Sequence, residues 1–349
     1  MVSRHVVLLI AALAVAPGAG LTVNAANGAP SVAPSERASI SDMRDTAIAI
    51  NATMRRYHYN PRELDQPEYR QIEAAVLALG HSATDSDAFI AGFREIWKDA
   101  PFSHVNLTKA RGTAEETAAY LDQMTVGADA VRLEWAGDDA VLTVNTMMGS
   151  DTVTAIDAAF ASLHERGAAR LIIDLRSNEG GAFAVRPLLG HLLDKPYDAG
   201  LFVSQKWYAD NDGAPQADDM VGLTPWTGWS IRRFWADVAD APLTRIQFTP
   251  SIPVFEGPVY VLTSRKTASA AELASDALQA AARATIVGER TAGAMLSQKP
   301  FDIPGGVHLF LPIADYYSLA NGRIEGRGVA PDIAVDADKA LELVRAMAE

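Results

Sequence analysis

Ser269 is the residue in this chain best placed for nucleophilic chemistry. It follows an apolar, β-branched run, Val259-Tyr260-Val261-Leu262-Thr263, and a short polar turn ending Thr267-Ala268. Beyond it, Ala270-Ala271-Glu272-Leu273-Ala274 reads as the first turn of a helix. A hydroxyl there sits at the positive end of the helix dipole, among backbone N–H groups without intrahelical partners. The same spacing, Ser269-x-x-Glu272, is also a capping box, so nucleophile and cap both remain open on these residues alone.

A serine hydroxyl needs a base to take its proton, and histidine is the usual one near neutral pH. The chain has seven histidines. His5 falls in the expected signal peptide, residues 1–25. His164, His191 and His308 fall inside regular elements, and His58 and His81 at polar helix ends that read as solvated. His104 differs: it follows Ser103 in the Pro-containing loop Asp99–Leu107, at the junction of a helical part and an α/β part. Loops at such junctions carry sites more often than element interiors do. The turn Asp174-Leu175-Arg176-Ser177-Asn178-Glu179-Gly180-Gly181 follows a buried-type strand, and Gly180 and Gly181 allow backbone N–H groups to face an oxyanion. It has neither the Lys-Ser/Thr of a P-loop nor the spacing of a dinucleotide fingerprint, and a plain turn would read alike. Glu325, in the Gly-rich stretch Ile324–Ile333, offers a carboxylate to orient the histidine or its serine neighbour, or else a surface turn before an edge strand.

These residues need a scaffold. Apolar spacing predicts helices over 42–59, 68–79 and 85–97, whose aromatic and aliphatic stripes read as the core of a small bundle, and a short helix over 113–124. Strands follow at 130–135 and 140–146 around a Gly137-Asp138-Asp139 turn. Helix 151–166, strand 170–175, helix 185–193, strand 259–263, helix 269–282 and strand 284–287 then alternate as parallel βαβ units do. The stretch 203–250 holds four of the six tryptophans among Gly, Pro and Asp, and reads as an irregular insertion, either a lid or substrate wall or a pinned loop.

Arg4-His5, an apolar run from Val6 to Ala16 and Val23-Asn24-Ala25 form a secretory signal peptide pattern, cleaved after Ala25, with residues 26–36 as a flexible leader. The apolar run is too short to span a bilayer, and no later run is long enough. With no cysteine there is no disulfide framework and no thiolate metal site. The formal net charge of −13 argues against a polyanionic partner, and no basic tract or nucleic-acid motif is present.

Four segments in this order resemble the serine peptidase family that includes the C-terminal-processing proteases, the tricorn protease core and the interphotoreceptor retinoid-binding proteins. They are Asp174–Gly181, Thr267–Glu272, Val287-Gly288-Glu289-Arg290-Thr291-Ala292-Gly293 and Glu325-Gly326-Arg327-Gly328-Val329-Ala330-Pro331-Asp332. The likeness covers roughly 128–335. Processing proteases use a Ser–Lys dyad whose lysine follows the Thr-x-Gly; here that position is Ala294, and Lys266 and Lys299 are out of register. There is also no room for their PDZ module. The resemblance therefore points to the tricorn-like branch: Ser269 as nucleophile, His104 as base, Ser103 and Glu325 supporting it, and N–H groups of Ala270 and of Gly180 or Gly181 as the oxyanion hole. It implies an α/β fold with a crotonase-like (ClpP-like), ββα-type core over 128–349, after a helical domain at 37–126. The expected activity is that of an exported, periplasmic or secreted serine hydrolase, a peptidase acting on peptide or protein substrates without metal or cofactor. An apolar-ligand-binding protein on the same framework and a non-peptide acyl hydrolase are the alternatives.

Overall fold

The computed structural model describes residues 40–347; the expected signal peptide and the leader at 26–36 lie outside them. The chain opens with helices α1 (Ile40–Tyr57), α2 (Pro67–Ser82) and α3 (Ser86–Ile96), then strand β1 (Asn106–Lys109) and helix α4 (Ala114–Gln123). Local chemistry sets their ends. Pro67 starts α2 at the position where a missing N–H costs nothing, and the Asp85 side chain accepts from the Ala88 N–H to cap α3. Next come β2 (Val131–Ala136), β3 (Asp139–Val144), α5 (Ser150–Arg166), β4 (Arg170–Asp174), α6 (Val185–Gly190), β5 (Tyr197–Ser204), α7 (Gln205–Asp210) and α8 (Ile231–Asp240). The chain continues through β6 (Leu243–Phe248), β7 (Val259–Thr263), α9 (Ala270–Ala280), β8 (Thr285–Gly288), β9 (Ser297–Ile303), β10 (Val307–Ser318), β11 (Gly322–Arg323), β12 (Ile333–Ala334) and α10 (Ala340–Ala346).

The strands form two sheets. The first runs β2-β3-β4-β7-β8-β12, with β2 and β3 an antiparallel hairpin and every later pair parallel. The middle residues of its central strands β4 and β7 are apolar on both faces because both faces are covered. Leu171 and Ile173 of β4 pack with Ile156 and Phe160 of α5 and with Leu273 and Ala277 of α9. Ile172 points the other way, with Leu262, Val287 and Val344 of α10. Each such fully buried aliphatic side chain contributes about 1.5–3 kcal/mol.

The second sheet is antiparallel, β1-β10-β5-β6, with β9 and β11 also paired to β10. β10 is its spine, and residues 307–316 of it are buried. One apolar face closes against the N-terminal helices: Met43, Ile50 and Met54 of α1 and Phe89 and Phe93 of α3 share a cluster with Leu201, Leu243, Leu309 and Leu311. The 203–250 stretch is more regular than its composition implies. It contains α7, α8 and β6, and Trp235 is buried where α8 packs near Ala118 and Ile313. A longer segment without helix or strand remains only around the turn at 217–220 and the residues up to Ser230.

Candidate functional site

β4 and β7 are parallel neighbours, so the turns at their carboxyl ends leave the sheet on the same edge, where open α/β sheets place ligands. Side chains stitch the two turns together. Thr267 Oγ1 donates to the Leu175 carbonyl (2.8 Å), Ser264 Oγ to the Arg176 carbonyl (2.5 Å), and the Ala268 N–H to the Asn178 carbonyl (3.0 Å). Ser269 stands where the second turn enters α9, with φ 53° and ψ −122°. A non-glycine residue there is strained, and a serine at a sharp strand-to-helix turn of this kind holds its hydroxyl out of the helix. That hydroxyl makes no cap hydrogen bond; the Glu272 N–H goes to the Ser269 backbone carbonyl at 2.8 Å.

Glu272 has taken over the bracing. Its buried carboxylate accepts from the Ser269 N–H (3.1 Å), Thr291 Oγ1 (2.5 Å), the Gly293 N–H (2.8 Å) and the Ala294 N–H (2.8 Å). Burial pushes this carboxyl up to about 7, against the pull of those donors. The Ser269 N–H also donates to the Ala294 carbonyl at 2.9 Å. The Ser-x-x-Glu spacing was legible in the chain; that the glutamate would also hold 291–294 was not.

The glycine turn packs on the serine. A Cβ at Gly180 would come within 2.5 Å of Ser269 Cβ, so only glycine allows the approach. Of the two glycines, Gly180 spends its N–H on Asn178 Oδ1 (2.8 Å), and Asn178 in turn donates Nδ2–H to the Val144 carbonyl (2.9 Å). Gly181 is exposed and forms a parallel bridge with Met147, whose bonds run through the Gly180 carbonyl and the Ala182 N–H. That pattern turns the Gly181 N–H away from Met147. Among the described residues, neither this N–H nor that of Ala270 donates a hydrogen bond.

Ser103, His104 and Glu325 meet, although 222 residues separate Ser103 from Glu325. β10 brings them together: β1, just after His104, pairs with its first half, and β11, just before Glu325, with its end. Glu325 accepts the Ser103 N–H (2.9 Å), Ser103 Oγ (3.0 Å) and the Met295 N–H (2.7 Å). Ser103 Oγ lies 2.6 Å from His104 Nδ1. With Glu325 ionised, the hydroxyl gives its one proton to the carboxylate and accepts from Nδ1–H, the arrangement that leaves the Nε2 lone pair free. Burial pushes the His104 imidazole down to about 4 and raises Glu325. His104 also has a left-handed backbone, φ 60°. The consecutive residues Ala294 and Met295 join the two halves, one bonded to Ser269 and the other to Glu325. Among the described residues no hydrogen bond links the Ser269 hydroxyl to the His104 ring.

The other candidates fall elsewhere. Ala294 is buried beside Ser269, Lys266 is exposed, and the Lys299 ammonium lies 4.8 Å from the Phe301 ring centroid. His58 is not solvated: α1 ends against β10, and the ring is buried beside Tyr59 and Phe102, its pKa pushed down to about 3. His191 is held by the Pro253 carbonyl (2.7 Å) and Asp157 (3.0 Å), and His308 by the Gly112 carbonyl (3.0 Å). Past the glycine turn, Phe183 stacks on Trp226 (6.0 Å between centroids) and meets Trp229, which is exposed. The Arg186 guanidinium lies over both tryptophans at 5.1 and 5.2 Å.

Comparison with known proteins places these features. Residues 138–335 match the family model described as Peptidase family S41, a segment that holds Gly180, Gly181, Ser269, Ala270 and Glu325 and begins after His104. The chain is 30% identical over 187 residues to the chloroplastic C-terminal processing peptidase of Tetradesmus obliquus, covering 54% of this chain and 33% of that protein. It is 28% identical over 179 residues to the carboxyl-terminal-processing protease of a Picosynechococcus, covering 51% of this chain and 35% of that one. The chain thus spans about a third of the length of these curated relatives. Among solved structures, the photosystem II D1 C-terminal processing protease superposes with a TM-score of 0.52 at 17% identity, over 85% of this chain and 94% of that one. A lipoprotein from Streptococcus agalactiae gives 0.56 at 14% identity, over 93% and 98%. At such identities the likeness is one of fold.

Proposed function

Because this chain belongs to Peptidase family S41, we propose that it is a serine peptidase in which Ser269 attacks the carbonyl carbon of a peptide bond. His104 Nε2 takes the serine proton and returns it to the leaving amine. Ser103 and Glu325 hold the imidazole in the tautomer that makes Nε2 the base. The N–H groups of Ala270 and Gly181 receive the oxyanion, each worth about 3–4 kcal/mol by analogy with other such sites; Gly180 shapes the turn. We read the parallel sheet with its β2–β3 hairpin as a crotonase-like, ββα-type core over 128–349. In this reading residues 37–126 are a helical domain that delivers His104, and the Trp226–Trp229 segment of the 203–250 stretch walls the substrate cleft. Export through residues 1–25 belongs to the same proposal, as does a mechanism without metal or cofactor.

The observation that carries the reading is Ser269 itself, with a strained backbone, an uncommitted hydroxyl and adjacent N–H donors without partners. Strain kept at a helix-start serine whose neighbouring N–H donors are unspent is most simply explained by chemistry. Purified protein lacking residues 1–25 is expected to be labelled by a fluorophosphonate and to cleave a peptide library, and Ser269→Ala to do neither. Equal labelling of Ser269→Ala would refute the nucleophile assignment. Labelling with ester but no peptide cleavage would make the chain a non-peptide acyl hydrolase. Absence of both would point to the ligand-binding alternative.

A further inference from the structure

Two residues before Glu325, the half-buried Arg323 lies in a knot of charge. Its Nε donates to Asp315 Oδ2 (2.6 Å), and its Nη2 to Tyr59 Oη (2.6 Å) and Glu63 Oε1 (2.8 Å). Tyr59 Oη in turn donates to Glu63 Oε2 at 2.6 Å. Asp315 comes from β10, and Tyr59 and Glu63 from the segment after α1. Arg323 therefore pins the strand that leads to Glu325 against two separate parts of the molecule.

The charges in this knot do not balance. Asp315 and Glu63 pair with the one guanidinium, and Glu325 follows two residues on; Tyr59, Tyr208, Tyr317 and His58 around it carry no positive charge, and Arg62, beside Glu63, is exposed and paired with Asp212. Two buried carboxylates, Asp315 and Glu325, served by one half-buried cation that Glu63 also shares, favour keeping a proton on one of the acids. Glu325 is the poor place for it, because all three of its neighbours, two N–H groups and a hydroxyl, are donors. Asp315 is the better one: its Oδ1 has no hydrogen-bond partner among the described residues. Burial raises both acids, Asp315 to about 7; on Glu325 it is opposed first by the Met295 and Ser103 donors and then by the Arg323 charge.

We propose that Arg323 is a positioning residue for the His104 relay: it anchors the β11 segment and supplies the positive charge against which Glu325 remains ionised. An ionised Glu325 obliges Ser103 to donate to it, and Ser103 then obliges His104 to present a bare Nε2. If Glu325 were protonated, Ser103 would be free to donate to Nδ1, and the base would face the wrong way. This rests on the catalytic reading above, and its test includes a readout that needs no turnover.

The experiment uses the mature protein and its Arg323→Met and Arg323→Lys variants, checked for folding by thermal unfolding. For turnover, the pH dependence of kcat/KM on a cleaved fluorogenic peptide is compared. Arg323→Met is expected to lower kcat/KM at pH 7 by about tenfold or more, and to move the acid limb upward by about one pH unit. Arg323→Lys, which keeps the charge, should hold the limb near the wild-type position. Without turnover, ¹⁵N-histidine NMR in the Ser269→Ala background should show His104 protonated at Nδ1 with Arg323 present, and a mixed tautomer in Arg323→Met. Unchanged limb and unchanged tautomer in a folded Arg323→Met would overturn the proposal. Should Arg323→Met fail to fold, a limb shift in Arg323→Lys as large as one pH unit would overturn it as well. Loss of labelling at Ser269 in wild type would instead count against the peptidase reading, and leave the tautomer measurement to decide this one.

Discussion

In the proposed mechanism His104 serves as base only while its ring is neutral. Burial puts its pKa at about 4, below the ordinary histidine value of 6.5. The sign follows directly: protonation that would silence an exposed histidine below pH 6.5 is deferred here toward pH 4. Peptidase activity should therefore persist through pH 5.5, with its acid limb set by the coupled His104–Glu325 pair rather than by a free imidazole. His104→Ala should cost roughly 10²–10⁴-fold in kcat/KM, the usual worth of a positioned base. A loss of under about tenfold, or an acid limb at an ordinary histidine pKa, would return attention to Lys266 or Lys299.

At the scale of elements, the strand–turn–helix around Ser269 and the glycine turn beside it act as one rigid edge. Gly180→Ala tests this, since its Cβ would also approach the Ala268 carbonyl at 2.8 Å, at a φ of 100°. Displacing the Ser269 turn by even an ångström should lower kcat/KM by about a hundredfold. Gly213→Ala, where an added Cβ meets nothing, should leave the rate within about twofold. Equal rates in both would show that the turn tolerates movement. These elements were legible because their signals are local: β7 and β4 are short, β-branched runs bounded by turn residues, and α9 begins with a helix-start motif. The second sheet was not. β10 is buried along nearly its whole length, so its apolar run lacks alternation, and Pro312 stands at a register shift opposite β9. β5 and β9 carry Gly200 and Pro300, which read as breakers but are paired within strands. The same long-range packing removed His58 from solvent and let Ser103, His104 and Glu325 converge, contacts that no window of sequence contains.

For the molecule as a whole, the proposed mechanism needs more than the family segment. Residues 138–335 contain the serine and the glycines, yet the histidine arrives on the preceding segment, whose helices share their apolar core with the second sheet. A protein beginning at residue 128 should therefore expose the Leu201, Leu309 and Leu311 face, aggregate, and remain unlabelled by fluorophosphonate. A soluble fragment labelled at the full-length rate would refute that dependence. The left-handed backbones of Ser269 and His104 act at this scale too. Each non-glycine residue held at such an angle costs roughly 1 kcal/mol, a cost that a glycine at the same position largely escapes. With a net folding stability of only about 5–15 kcal/mol for a typical domain, those two positions use up a noticeable share of the margin. Stability and activity thus pull in opposite directions at these two codons. A campaign of directed evolution scored on heat resistance alone would drift toward glycine at both, and would arrive at a sturdier protein that had forgotten its reaction.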